Sequence, residues 1–533
     1  MNTLRKISAA LTLVITASIQ LNAQSLKEAI KLTEGEKFPK ASAAFAQLIK
    51  ADPSNAQNYF YCANNYFKWG KTDSAKIIYN QGIAAAPKSA INYAGLGQVQ
   101  WALNDTAEGA ANMNKALLLC KSKDILVINK VADAYINYTY KKIPTAQALL
   151  AKGEKKFYKN TDLHILKGDA YLLNNQTSEA FSSYETAYDL DSTSFTVLLK
   201  LGNVMAGAQQ YGKALDYLVA INIMDSTFVP AYKEKAYMCE QMKDYALAIE
   251  QLKKYLSYNE NTATRTDLAF DYYLNDEFRN ALQEINTIQS TDTSNIRLYR
   301  LAANSYYELA SYDSCAANMQ KFIERAPQDT SIRISSKDYM VYGKSLAKTV
   351  QDSMAVIYLK KALELSPNLI DLYSDLGNSY AKLKNYPEAV KYHELKILNK
   401  KEKSDVRDYN ALANAFYQNK EYEKADSIYK KVIELKPEGY NGYLMRARCN
   451  DRLDPERSTG RAIPHYELVF QKADPEKNKK DIVNGLYYCG IHYIKIKEYK
   501  KAKEVYLKII AIEPESPEAN KFLNTPMIKK IKL

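Results

Sequence analysis

Small and hydrophobic residues recur along the chain with a constant spacing. Residues 372–390 read LYSDLGNSYAKLKNYPEAV, in which Gly377 is followed three residues later by Tyr380, and an alanine follows after a polar stretch. Residues three and four apart share one face of a helix, so this stretch predicts two amphipathic helices joined by a short turn. Pro53 and Pro87, which are 34 residues apart, enclose another copy of the same pattern.

Each copy has a small residue in the middle of its first predicted helix. Glycine or alanine at this place allows the second helix of the copy to approach closely, and aromatic residues fill the space between copies. Proline ends several copies because it cannot continue a helix. The small residues are Ala63, Gly97, Ala132, Gly168, Gly202, Ala236, Ala269, Ala303, Gly343, Gly377, Ala413, Ala447 and Gly490.

This pattern resembles the tetratricopeptide repeat, a 34-residue helix–turn–helix unit. The resemblance covers nearly all of the chain after its first residues. It implies an all-α fold in which about fourteen helix–turn–helix repeats stack into a right-handed α–α superhelix, because no copy can bury its apolar face alone. It also implies an extended concave groove that the first helix of each repeat lines.

One interval in the array is longer than the others. Pro327 and Pro367 are 40 residues apart, six more than the repeat length. We expect a bend or a protruding loop there, and whether the array is continuous or broken near residues 328–336 stays open. The predicted divisions are a first array over residues 24–327 with about nine repeats, a second array over 328–515 with about five, and a capping helix with a basic tail over 516–533.

The first 23 residues have a different character from the repeats. Arg5 and Lys6 precede an apolar stretch of about a dozen residues, and the small residue Ala23 follows it. This order predicts a cleaved secretory signal peptide. Because Gln24 rather than cysteine follows the predicted cut, the chain is not expected to be a lipoprotein. We expect an exported protein of the periplasm or cell envelope that is soluble and has no transmembrane span in its mature form.

Charge and composition narrow the class of function. The formal net charge is +13, but lysine and glutamate are interleaved as on solvated helix faces, and acidic residues outnumber basic ones in the middle of the chain. Nucleic-acid binders usually gather positive charge in one stripe, so no nucleic-acid partner is expected. Of the six cysteines, Cys449 and Cys489 lie in neighbouring copies, and whether they pair stays open.

Motifs that carry catalysis are incomplete in this chain. Residues 343–345 read GKS, but Asp338 stands where a phosphate-binding loop needs glycine. His393 is followed by Ile397 where a zinc-binding pair needs a second histidine. The four histidines lie in separate copies or on distant helices, so no metal site is expected. We predict a protein without a cofactor that is not an enzyme.

Residues that would face the groove supply the candidate binding site. The residue after the small one is asparagine in several copies, and an aromatic residue often lies three positions further on. Asparagine offers a donor and an acceptor to a peptide backbone, and aromatic rings supply contact area. Alternatively, asparagine at this place serves contacts between helices. The candidates are Asn64, Phe67, Trp101, Asn203, Tyr273, Asn304, Tyr307, Asn378, Asn414 and Tyr417.

These features favour a non-catalytic protein–protein interaction scaffold of the bacterial envelope. It would bind partner polypeptides in its concave groove, in assembly or secretion, and associate peripherally with the envelope. The alternative is an enzyme, or an accessory subunit of one, that acts on envelope glycans, because a helical groove lined by tyrosine can stack sugars.

Overall fold

The computed structural model describes residues 25–121, 123–137, 141–400 and 404–533. Within these ranges the secondary structure is helical and contains no strand, which confirms the predicted all-α repeat fold. The predicted signal peptide lies outside the described residues. No helix in the described ranges is both long enough and apolar enough to cross a membrane.

The chain divides between Thr291 and Asp292 into two compact units. Within the described residues, the N-terminal unit contains sixteen helices in eight pairs. They are α1 (25–34), α2 (Phe38–Ala51), α3 (Ala56–Lys68), α4 (Thr72–Ala85), α5 (Ala90–Ala102), α6 (Thr106–Cys120), α7 (Ile125–Asn137), α8 (Ile143–Phe157), α9 (Thr161–Leu173), α10 (Thr177–Leu190), α11 (Phe195–Gly207), α12 (Tyr211–Met224), α13 (Pro230–Gln241), α14 (Tyr245–Leu256), α15 (Thr262–Leu274) and α16 (Phe278–Gln289).

The C-terminal unit contains six further pairs and two short helices, counted over its described residues. A single 3₁₀ turn, Ala326–Gln328, follows its first pair. The helices are α17 (Ile296–Glu308), α18 (Tyr312–Arg325), α19 (Ser336–Lys348), α20 (Asp352–Leu365), α21 (Leu372–Lys382), α22 (Tyr386–Lys400), α23 (Val406–Gln418), α24 (Tyr422–Leu435), α25 (Tyr440–Leu453), α26 (Ile463–Lys472), α27 (Lys479–Lys495), α28 (Tyr499–Ile512), α29 (Pro517–Leu523) and α30 (Pro526–Lys529).

In both units the odd-numbered helices up to α27 are the first helices of their pairs, and the even-numbered helices up to α28 are the second ones. The small residues of the sequence pattern lie where these two helices meet. A Cβ atom added to Gly377 would lie 2.6 Å from the ring of His393 on α22, and one added to Gly343 would lie 2.7 Å from Leu359 on α20. Atoms cannot approach so closely, so these positions exclude larger residues.

The division between the two units falls one helical pair before the boundary that the long proline interval predicted. The core continues across residues 328–336, because Phe322 and Ala326 belong to the same buried cluster as Val341 and Tyr342. The extra residues form the 3₁₀ turn and an extended connection. The observed division instead follows α16, where residues 290–294 are consecutive exposed polar side chains that contribute nothing to a core.

The first pair of the N-terminal unit contacts its seventh pair. The turn between α1 and α2 supplies Glu36, whose carboxylate accepts hydrogen bonds from the Tyr255 hydroxyl at 2.5 Å and from Asn259 Nδ2 at 3.0 Å. Lys37 Nζ donates to Thr227 Oγ1 at 2.5 Å. These bonds join residues about two hundred positions apart in the sequence, so the repeats of this unit close on themselves.

Candidate functional site

A cavity opens on the surface of the first helices α21 and α23 in the C-terminal unit. Its volume is about 380 Å³, and it is called the amide cavity here because most of its polar lining consists of carboxamide side chains. Its lining residues are Asn378, Ala381, His393, Arg407, Asn410, Ala411, Asn414, Ala415 and Gln418.

Two of the sequence candidates, Asn378 and Asn414, are brought together in this cavity. Each follows a small residue, Gly377 or Ala413, that packs towards the second helix of its pair. Successive residues of a helix point about 100° apart, so the side chain after the small residue turns away from the core. Both asparagines are accordingly exposed.

The carboxamide of Asn414 is held by a buried tyrosine. The hydroxyl of Tyr429, on α24, donates to Asn414 Oδ1 at 2.6 Å. Burial raises the pKa of Tyr429, so its hydroxyl stays protonated and can act as this donor. Tyr429 therefore occupies one lone pair of Oδ1, and both N–H groups of Nδ2 are left as donors for a ligand. The alternative interpretation, that asparagine here serves contacts between helices, therefore applies to Oδ1 of this side chain but not to Nδ2.

Asn410 complements Asn414 on the same helix. Asn410 lies one turn earlier on α23, and its Nδ2 donates to the carbonyl of Val406 at 2.9 Å. Its Oδ1 is left as an acceptor, and Asn410 is among the residues that line the cavity. The pair thus presents one donor group and one acceptor group, which is the combination that a peptide bond requires.

A cation lies at the edge of the amide cavity. The side chain of Arg407 is 88% exposed, and its guanidinium contacts Asp405 at 2.9 Å. This hydrogen bond, together with backbone N–H groups, lowers the pKa of Asp405 to about 2. Exposed ion pairs of this kind contribute little stability, so the guanidinium can exchange its partner for an anionic group of a ligand at small cost.

The aromatic candidates pack in a common way. Tyr307 and Tyr417 each lie against the tyrosine that opens the second helix of the pair, with ring centroids 5.9 Å from Tyr312 and 5.4 Å from Tyr422. Tyr273 packs in the same way against an aromatic ring on α16. These rings are half-buried, so part of their surface stabilises the turn between helices and part remains for a partner.

Trp101 does not belong to a binding surface, which corrects the sequence prediction. Its side chain is fully buried, and Nε1 donates to the carbonyl of Thr106 at 3.2 Å. The reason is Gly109 on the second helix, where a Cβ atom would overlap the indole ring. The missing side chain opens a space into which the indole turns.

The other candidates of the N-terminal unit lie in separate environments. Asn64 accepts a hydrogen bond from Lys130 Nζ at 2.8 Å. Phe67 packs against the buried core cluster of the first repeats. Asn203 is exposed. In the C-terminal unit, Asn304 is half-buried on α17.

Three polar residues of the cavity escaped the sequence analysis: Arg407, Asn410 and Gln418. Asn410 carries a detectable signal, because it lies four residues before Asn414 and therefore on the same face of a helix. The other two flank that face at the two ends of α23. The spacing of the asparagines identifies one candidate residue in each repeat, whereas the cavity is lined by several residues on one face of α23.

The cysteines and histidines form no reactive centre in the described part of the chain. All six cysteines are buried and free, and Cys449 and Cys489 do not pair. Burial raises the pKa of both thiols to about 12, so they carry little thiolate at neutral pH. Among the described residues, no three histidine, cysteine or carboxylate side chains converge as metal ligands.

Comparison with known proteins agrees with the repeat pattern. The family profile described as tetratricopeptide repeat matches residues 409–438, which cover most of α23 and α24. Hsp70-Hsp90 organizing protein 2 of Arabidopsis thaliana is 22% identical over 290 residues, 49% of this chain and 49% of that protein. A TPR repeat-containing protein of Methanocaldococcus jannaschii is 22% identical over 473 residues, 88% of this chain and 72% of that protein. The chain thus spans about half the length of the plant relative.

A solved structure shares a higher sequence identity with this chain than the two relatives above do. The C-terminal part of a TPR repeat-containing protein from Cytophaga hutchinsonii is 30% identical, and the match covers 49% of this chain and all of that one, with a TM-score of 0.40. The family profile identifies a tetratricopeptide repeat at residues 409–438 of this chain.

Proposed function

We propose that this chain is a non-catalytic scaffold that binds partner polypeptides on the surface of its first helices, and that the amide cavity holds an extended segment of a partner. The observation that carries the proposal is the pair of fixed carboxamides on α23. Tyr429 holds the Asn414 carboxamide through Oδ1, which leaves both N–H groups of its Nδ2 as donors, and Val406 holds Asn410 through one N–H of Nδ2, which leaves its Oδ1 as an acceptor.

An extended polypeptide fits these groups. Each of its peptide bonds carries one donor and one acceptor, and both must be satisfied when the segment leaves water. Two pre-oriented carboxamides meet this need without losing side-chain entropy on binding. The cavity volume is at the lower end of the roughly 300–1,000 Å³ usual for ligand sites, which suits one or a few side chains of a longer segment.

The likeness to tetratricopeptide repeat proteins supports a scaffold rather than an enzyme. Proteins of this kind stack repeats to make extended surfaces, and all the helices of this chain that bear candidates are parts of such repeats. The relatives named above include an Hsp70-Hsp90 organizing protein, and we extend from it only the general role of binding proteins.

The proposed location is the bacterial envelope, in assembly or secretion, and it depends on the secretory pattern of the first 23 residues. Deleting these residues should leave the chain in the cytoplasm, as cell fractionation would measure. Continued export of the truncated chain would contradict this part of the proposal and leave the binding site unaffected.

The binding proposal is tested by crosslinking and recovery of partners from cells that make the chain. We expect the variant Asn378→Ala/Asn414→Ala to lose most of the polypeptides recovered with the unaltered chain. The matched control is Asn318→Ala/Asn399→Ala, which removes two carboxamides from the second helices α18 and α22. Equal recovery with both variants would contradict the proposal.

A further inference from the structure

Two neighbouring first helices of the N-terminal unit present carboxyl groups around aromatic rings. On α13, three side chains follow one another at intervals of three residues. On α15, two side chains lie three and four residues after a third one. Each set therefore shares one helix face. This surface is called the acidic face here, and it comprises Glu234, Tyr237, Glu240, Asp267, Phe270 and Asp271.

The carboxyl groups of the two helices are close enough to interact. The charges of Glu240 and Asp267 both raise the pKa of the Asp271 carboxyl, so the three groups lie close together on this face. Burial and these like charges raise the pKa of Asp271 to about 7. The raised pKa means that the face holds more negative charge than its surroundings stabilise.

The nearby cations do not balance this charge. Lys233 lowers the pKa of Glu234, Glu240 and Asp267, yet the pKa of each remains raised by burial. Lys200 also reaches Glu234, but its Nζ already contacts Asp169 at 2.7 Å.

One carboxylate oxygen has no partner. Asp271 is only 3% exposed, and its Oδ2 makes no hydrogen bond within the described residues. A buried polar atom of this kind is costly unless something binds to it. This oxygen is an observation independent of the charge count, and it indicates that a donor is missing from the face.

The aromatic rings complete the surface. Tyr237 follows the small residue Ala236, and 49% of its side chain is exposed, which is high for a large ring. Phe270 follows Ala269 and is half-buried. Aromatic rings flanked by carboxylates suit lysine and arginine, whose apolar stems pack on the rings while their cationic groups meet the acids.

We infer that the acidic face binds lysine or arginine side chains of an extended segment of a partner polypeptide. A guanidinium or ammonium group that enters between α13 and α15 would donate to Oδ2 of Asp271, which is buried in the free chain, and relieve its repulsion with Glu240. The stem of the same side chain would pack on Tyr237. This site is separate from the amide cavity and goes beyond the proposed function, because it selects a partner by charge.

The net charge of the chain allows binding at the acidic face to be distinguished from general electrostatic attraction. With a formal charge of +13, the chain as a whole attracts acidic peptides and repels basic ones. A preference for a basic peptide therefore has to come from a local surface of opposite sign.

The experiment measures fluorescence anisotropy of two labelled peptides on addition of the full chain. One peptide alternates lysine with serine, and the other alternates glutamate with serine. We expect the lysine peptide to bind more tightly, with an affinity that falls as salt is added. Tighter binding of the glutamate peptide would overturn the inference.

Variants assign the binding to the acidic face. Glu240→Gln/Asp271→Asn removes charge without changing shape and should weaken lysine-peptide binding by about tenfold or more. Tyr237→Ser should weaken it by a smaller factor while leaving the charge intact. The matched control, Asp216→Asn/Glu250→Gln, removes two exposed acids from α12 and α14 and should bind as the unaltered chain does.

Two further results would overturn the inference: unchanged affinity in Glu240→Gln/Asp271→Asn, or an equal loss in the control. The variant Asn378→Ala/Asn414→Ala, altered in the amide cavity, should keep its affinity for the lysine peptide. Failure of the amide cavity as a binding site would therefore leave this result intact, so the two proposals can fail separately.

Discussion

The acidic face of α13 and α15 and the amide cavity of α21 and α23 use the same places in the repeat for different chemistry. Tyr237 and Asn378 both follow the small residue of a first helix. Beneath each of them, that small residue meets the second helix of its pair. The repeat therefore fixes where a side chain points, and the residue at that place decides what it can bind.

The largest expected effect comes from substitutions at the contact between the two helices of a pair, which both regions share. Gly168→Ala and Gly377→Ala should each lower the free energy of unfolding by about 3 kcal/mol, because the added methyl group would overlap Tyr184 in one unit and His393 in the other. Urea unfolding followed by circular dichroism measures the change.

The control for these glycines is Gly207→Ala at the end of α11, where a Cβ atom meets nothing within 4 Å. It should leave stability unchanged or raise it by up to about 1 kcal/mol. Equal losses at all three positions would mean that glycine is required for its backbone freedom rather than for space.

The next effect is a difference between the two units in how stability depends on pH. In the C-terminal unit, burial lowers the pKa of His393 from 6.5 to about 4. The unfolded chain therefore binds more protons than the folded one between these values, and stability should fall by roughly 2 kcal/mol as pH drops from 6.5 to 4. His393→Leu, which copies Leu359 of the preceding repeat, should remove this pH dependence. Its persistence in the variant would exclude His393 as the cause.

At the acidic face, the contribution to stability should change with pH in the opposite direction. The pKa of Asp271 is raised from 3.8 to about 7, so its unfavourable charge develops as pH rises through that range. Asp271→Asn should stabilise the chain by about 1–2 kcal/mol at pH 8 and have no effect near pH 4. Thermal unfolding at the two pH values measures this difference, and a loss of stability at pH 8 would show that the aspartate is not under repulsion.

The smallest effect concerns the orientation of Asn414. Tyr429→Phe removes the hydroxyl that holds Oδ1, so stability should fall by about 1 kcal/mol and partner recovery by the amide cavity should drop severalfold. Tyr184→Phe is the equivalent change in the N-terminal unit, where the hydroxyl donates to Asp169 at 2.6 Å. It should cost similar stability and leave recovery unchanged; a drop in recovery with both would point to general destabilisation.

The repeat fold could be predicted because its signal is steric. Glycine or alanine recurs where two helices meet, and the structure shows at Gly343 and Gly377 that a larger residue does not fit there. The division of the chain was harder to predict, because the long interval after Pro327 placed the boundary between the two arrays there and left open whether the array is broken. Extra residues can form a turn without interrupting a core, and burial across the turn is not visible in spacing.

The candidate site was predictable only in part. Spacing identified Asn378 and Asn414, which share the amide cavity. It misplaced Trp101, because the effect of Gly109 depends on the other helix of the pair. It missed the acidic face, because that surface combines side chains of two repeats, and a comparison of equivalent positions does not reveal that Glu240 and Asp271 meet.

The most direct test of binding on the first helices is site-specific photo-crosslinking in cells that make the chain. A photoreactive amino acid replaces Ala381, inside the amide cavity, or Leu398, which is exposed on the second helix α22. We predict covalent adducts with other polypeptides from position 381 and few or none from position 398. Adducts that are as abundant from position 398, or that form only there, would contradict a binding surface on the first helices.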